Sequence, residues 1–123
     1  MSNQDAVYLH HILAGGHVFP KVLHHIFAAI EQIDRYTRGM SENEFLSRAM
    51  VQDAVVRQIQ VIGEAANCIS AEFQGEHPTL PWSNMTGICK KIIPENFSVN
   101  LANVWNTVQD DLPLHKHAIK KFL

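Results

Sequence analysis

Apolar residues recur at helical spacing through almost the whole chain, and that pattern constrains the fold more than any other feature. Val22-Leu23, Ile26-Phe27, Ile30 and Ile33 share one side of a helix, with Glu31, Gln32, Asp34 and Arg35 on the other. Pro20 suits the first turn of this helix and Gly39 its C-terminal stop. Ser41-Glu42-Asn43-Glu44 is a capping-box pattern, which predicts a short helix starting there. A long helix is predicted next, from Arg48 to Phe73. Val51, Ala54, Val55, Val56, Ile59, Val61, Ile62, Ala65, Ala66 and Ile69 spread over much of its circumference. A helix that is apolar so far round needs neighbours on more than one side. One side reads as bundle core, the other as the seat of a second chain.

Gly75 to Pro81 reads as a loop and Trp82 to Met85 as a single helical turn. Gly87 to Ile92 starts another helix, which Pro94 should end or kink. A proline removes a backbone donor, clashes with the carbonyl four residues back, and costs a helix interior about 3 kcal/mol. Leu101, Val104-Trp105, Val108 and Leu112 mark the next helix. Pro113 then starts or bends the last segment, which ends in His115, Lys116, His117, Lys120 and Lys121; cations there complement a helix C-terminus. No strand pattern survives, so the expected fold class is all-α.

With 123 residues, the chain is expected to be one domain, 1–123. A local repeat sits at its start: Tyr8-Leu9-His10-His11-Ile12-Leu13-Ala14 resembles Val22-Leu23-His24-His25-Ile26-Phe27-Ala28. Either copy is suited to begin the first long helix. Gly15-Gly16 and Pro20 between them should break a continuous helix, which makes residues 4–14 a candidate separate arm.

A formal net charge of -2 excludes a broad electrostatic footprint for nucleic acid, so any RNA contact has to be local. No apolar run is long enough to span a bilayer and no secretory segment is visible. Cys68 and Cys89 therefore read as free thiols in a reducing cytoplasm. Cys68 reads as a small core residue. Cys89 beside Lys90 and Lys91 is a candidate for a lowered thiol pKa or an incidental free thiol. The eight histidines include the adjacent pairs His10-His11 and His24-His25, whose members point about 100° apart on a helix and do not aim at one ion. No His-Glu-x-x-His occurs, and His115-x-His117 is poor helical ligand spacing, so no metal site and no cofactor is expected. Trp82 and Trp105 read as core anchors.

Several blocks occur in a characteristic order. They are Tyr8-Leu9-x-His11-Ile12-Leu13, Ala29-Ile30-x-x-Ile33-x-x-Tyr36-Thr37-x-Gly39-Met40, Gln52-Asp53-Ala54-Val55-x-Arg57 and Ile62-Gly63-Glu64-Ala65-Ala66. After them come His77-Pro78-x-x-Pro81-Trp82, Gly87, and Phe97-x-Val99-Asn100 leading to Val104-Trp105-x-Thr107-Val108-x-x-Asp111-Leu112-Pro113. Together they resemble the HEPN-domain toxins of the HepT type. The resemblance implies an up-and-down helical bundle that forms a homodimer. It also implies metal-independent RNA cleavage and, as antitoxin partner, a small nucleotidyltransferase of the MntA type.

In that family the stretch after Gly87 carries an Arg that holds the phosphate charge, a His that acts on the ribose 2′-hydroxyl proton, and a Tyr that the antitoxin modifies with AMP. Those positions fall here on Cys89, Pro94 and Asn96. A thiol cannot grip a phosphate as a guanidinium does, a proline does not titrate, and Asn96 has no hydroxyl. The expectation is a catalytically inactive member. Lys90 and Lys91 remain candidate phosphate contacts or a solvated pair. Arg57 and Glu64, two turns apart on one helix face, are candidate cleft residues or a structural polar pair. Two other readings stay open: an RNase using a displaced histidine (His11, His25 or His115), or a purely binding helical module.

Overall fold

The computed structural model describes residues 19–93 and 98–123. These residues form helices with no strand, an all-α bundle. The elements are α1 (Phe19–Thr37), α2 (Glu42–Leu46), α3 (Ala49–Asn67), α4 (Ala71–Glu76), α5 (Trp82–Ile92), α6 (Leu101–Asn106), a π-helical stretch (Thr107–Asp111) and α7 (Leu112–Lys120).

Helix α1 runs through the second copy of the repeat, Val22 to Ala28; the first copy and the candidate arm 4–14 lie outside the described residues. Gly39 takes a φ of 72° just past its end, a left-handed conformation that suits glycine. Helix α2 has the predicted capping box. Ser41 accepts the Glu44 N–H at 3.2 Å, and the Glu44 carboxylate accepts the Ser41 N–H at 3.1 Å.

The sequence pattern placed the third helix from Arg48 to Phe73, but it ends at Asn67. The Cys68 N–H closes its last turn on Ala65 O at 3.2 Å, and the Ile69 N–H reaches Ala66 O at 3.3 Å. Ser70 then caps a new helix by accepting the Phe73 N–H at 3.2 Å. That helix carries Gly75 and Glu76, so the expected loop shrinks to 77–81. Trp82 to Met85 is likewise no separate turn. It is the start of α5, which continues through Gly87 because a glycine in a helix costs only about 1 kcal/mol.

The core lies between α1, α3 and α5, with α6 and α7 closing one side. Leu23, Ile26, Ile30, Ile33, Ile59, Ile62, Met85, Ile88 and Ile92 are fully buried there. Both tryptophans are core anchors. Trp82 is buried with its indole N–H donated to the His77 carbonyl at 2.9 Å, and Trp105 packs on buried Phe45 at 5.4 Å between ring centroids.

Between α6 and α7 the helix widens. The Leu112 N–H reaches back to Thr107 O, one residue further than an α-helix allows. Pro113 follows in the first turn of α7, where a missing donor costs least. The widened stretch was not legible in the apolar spacing, which runs on through it. Helix α5 stops at Ile92, ahead of Pro94 as the proline predicts.

Candidate functional site

The stretch expected to hold the motif positions, Cys89 to Asn96, begins in the last turn of α5. Pro94 and Asn96 lie outside the described residues. The two sides of their segment are tied together: the Asn100 N–H donates to Ile92 O at 2.8 Å, and the Asn103 amide donates to Lys91 O at 2.8 Å. Asn100 also caps α6 by accepting the Asn103 N–H at 3.0 Å. The end of α5 and the start of α6 are thereby held in register around the motif.

Cys89 points into the contact between α5 and α3. Its thiol lies 3.8 Å from the Ile59 carbonyl. A Cβ added to buried Gly63 would meet Cys89 Sγ at 2.5 Å. Burial pushes the Cys89 thiol up from its ordinary pKa, and the charge of Glu64 adds to the effect. Of the two readings of Cys89, lowering by Lys90 and Lys91 is excluded. Neighbours along a helix leave it about 100° apart, so the lysines go to solvent while the thiol goes to the interface. Cys89 stays protonated at neutral pH and is a packing residue. Cys68, half-buried, is raised by burial and by the same Glu64.

Gly63→Ala should test this contact. Overpacking costs about 1–3 kcal/mol, whereas Gly to Ala in a helix gains about 1 kcal/mol. In the natural chain the substitution should therefore destabilise or break even. In a Cys89→Ala background, where the nearest atoms are the Cβ of residue 89 at 3.8 Å and Met85 O at 4.0 Å, it should stabilise. Equal effects in both backgrounds, read by urea unfolding, would show that Sγ does not set the helix spacing.

Glu64 is exposed, and it is the one candidate whose charge reaches Cys89. Arg57 is also exposed and lines a different cleft, of ≈ 310 Å³, with Gln52, Asp53, Val56 and Gln60 of α3 and Val99 and Leu101 beyond the motif. The two residues share a helix face without pairing with each other. Lys91 is held by Asp111 at 2.7 Å, so it is not simply solvated; Lys90 is exposed and forms no ion pair among the described residues.

His115, one of the displaced candidates, is 1% exposed. Its Nε2–H donates to Asn84 Oδ1, a pairing across 31 positions that leaves no periodic signal. Burial pulls its pKa down to about 4; Asp111 opposes that and Lys91 adds to it. His25 sits on α1 beside a groove formed with Gln32, Arg35, Gln58 and Val61, and does not share the motif cleft; His11 lies outside the described residues. Among the described residues no three His, Cys, Asp or Glu side chains are placed to hold a metal ion, and no helix is long and apolar enough to cross a membrane.

The family model for ribonuclease HepT-like proteins matches residues 26–122. The chain belongs to the HepT-like ribonuclease family. It is 36% identical over 99 residues to the "Probable ribonuclease HepT" of Thermococcus cleftensis, covering 80% of this chain and 90% of that protein. It is 35% identical over 101 residues to a Methanocaldococcus jannaschii protein named as a gamma-glutamylcyclotransferase and candidate RNase. That match covers 82% of this chain but only 46% of the longer relative. A candidate RNase of Caldanaerobacter subterraneus is 31% identical over 101 residues, covering 82% of this chain and 90% of that protein. No solved structure matches.

Proposed function

We propose that this chain is the HepT-like component of a HEPN/nucleotidyltransferase toxin–antitoxin pair whose ribonuclease site has been lost. The observation that carries the reading is Cys89. A protonated thiol, tucked against Gly63, stands where the family places its phosphate-holding cation. It offers no charge to a transition state. The displaced-histidine reading is weaker. His115 is buried with one ring nitrogen committed to Asn84, and no described histidine lines the Arg57 cleft.

What remains is binding. Helix α3 keeps Val56 half-buried on the Arg57 cleft, with half-buried Leu101 and Val99, 42% exposed, beside it. Such a face suits a second copy of the chain, giving a homodimer. An MntA-type nucleotidyltransferase is the proposed hetero-partner. The bundle acts as one domain in the cytoplasm.

The test is RNA cleavage in EDTA with the unmodified chain, alongside co-purification with a co-expressed MntA-type nucleotidyltransferase. No cleavage with stable co-purification is the expected result. Cleavage by the unmodified chain that one histidine substitution removes would overturn the proposal.

A further inference from the structure

Three ionisable groups meet where α5 packs against the π-helical stretch and α7. Lys91, in the last turn of α5, bonds Asp111 at 2.7 Å. Asp111 ends the π-helical stretch, and His115 follows it by four residues, about one helical turn. A helical side chain leans over the turn before its own Cα, so the imidazole lies against the turn that carries Asp111. Its Nε2–H is given to Asn84, and its Nδ1 is buried with no hydrogen-bond partner among the described residues. Nδ1 is therefore the atom that takes up a proton.

The charges that act on the imidazole are Asp111 from the π-helical stretch and Lys91 from α5. Asp34 of α1 meets α7 at Lys116 instead, at 3.0 Å. One carboxylate is thus within reach of two bases, and their access to water differs. The Lys91 side chain is 39% exposed and that of Asp111 13%, while His115 is buried. An ammonium on a flexible stem exchanges a carboxylate for water at little cost. An imidazolium sealed in the interior has no water to turn to, and a buried charge without a counter-charge is strongly destabilising. When both bases are charged, the carboxylate goes to the one that solvent does not reach.

We propose that Asp111 is an exchangeable partner: in neutral solution it holds Lys91, and when Nδ1 of His115 takes a proton from solvent it moves to the imidazolium and releases Lys91. Raising the pH removes that proton and restores the first pairing. Lys91 lines an open cleft of ≈ 400 Å³ with Ser83, Asn84, Gly87 and Ile88, so acid sets a cation free in that cleft. The end of α5 stays in place, because the Asn103 amide still donates to Lys91 O and the Asn100 N–H to Ile92 O. The exchange is independent of the proposed function: it holds whether or not the chain cuts RNA.

Side-chain NMR of the full chain through an acid titration tests it, following the His115 imidazole and the Lys91 ammonium. In the unmodified chain both signals should change with one midpoint. Lys91→Met leaves Asp111 to His115 and should raise the imidazole midpoint by about one pH unit or more, a tenfold gain in proton affinity. In an Asp111→Asn background the same Lys91→Met change only removes a repulsion, and should raise the midpoint by roughly half as much or less. His115→Gln should keep Lys91 paired to a lower pH than in the unmodified chain, until Asp111 itself is protonated.

Equal effects of Lys91→Met in the two backgrounds, or a Lys91 signal that stays still while the imidazole titrates, would overturn the proposal. Unfolding that precedes the imidazole titration in both the unmodified chain and Lys91→Met would overturn it as well.

Discussion

Cys89→Arg combined with Pro94→His is expected to turn a chain that leaves RNA intact in EDTA into one that cuts it. The magnitude follows from the two groups restored. A positioned general acid–base contributes about 10²–10⁴-fold, and one donor aimed at developing transition-state charge about 10²–10³-fold. If they act independently, the double variant should exceed the unmodified chain by about 10⁴-fold or more. Each single variant should recover only its own part. The α3–α5 contact has room for the change: Gly63 carries no side chain to block a longer residue leaving position 89, and Glu64 beside it supplies a carboxylate against which a guanidinium can be oriented. A double variant that folds, dimerises and still leaves RNA intact would mean that more than these two groups has been lost.

Acid should destabilise the fold through His115. Its pKa falls from 6.5 to about 4 on folding. Below pH 6.5 the unfolded chain takes up a proton that the folded chain refuses, so stability is full above that pH and declines as pH falls toward 4. The gap corresponds to about 3 kcal/mol, since one pKa unit is about 1.4 kcal/mol. That is a large share of the roughly 5–15 kcal/mol that holds a domain together. Burial sets the direction, and the groups facing His115 do not reverse it. Asp111, which would welcome the imidazolium, is already engaged by Lys91, and Lys91 itself repels it. Urea unfolding at a series of pH values should show the loss in the unmodified chain and a flatter profile in His115→Gln. Equal slopes would mean that His115 is not the group being charged.

Most of the helical framework was legible because it depends on neighbours in sequence. Ser41 with Glu44, Gly39 after Thr37, and the run Val22 to Ile33 act within one or two turns. The errors were also local. Ser70 restarts a helix with a hydrogen bond that competes with continuing α3, and α5 runs straight through Gly87. The widening at Thr107–Asp111 leaves the apolar spacing intact and so left no periodic signal.

The chemistry of the motif was fixed by residue identity alone. No packing can give Pro94 a titratable group or Cys89 a guanidinium, so the proposed loss of the ribonuclease site rests on the sequence. Where those side chains and their neighbours point was decided only by tertiary structure. Lys91 meets Asp111, His115 meets Asn84, and Cys89 meets Gly63 across 20, 31 and 26 positions of chain. Helical periodicity says which residues share a face, but it does not say which face of another helix lies opposite. That pairing made Cys89 a packed, protonated thiol and placed a neutral histidine behind α5.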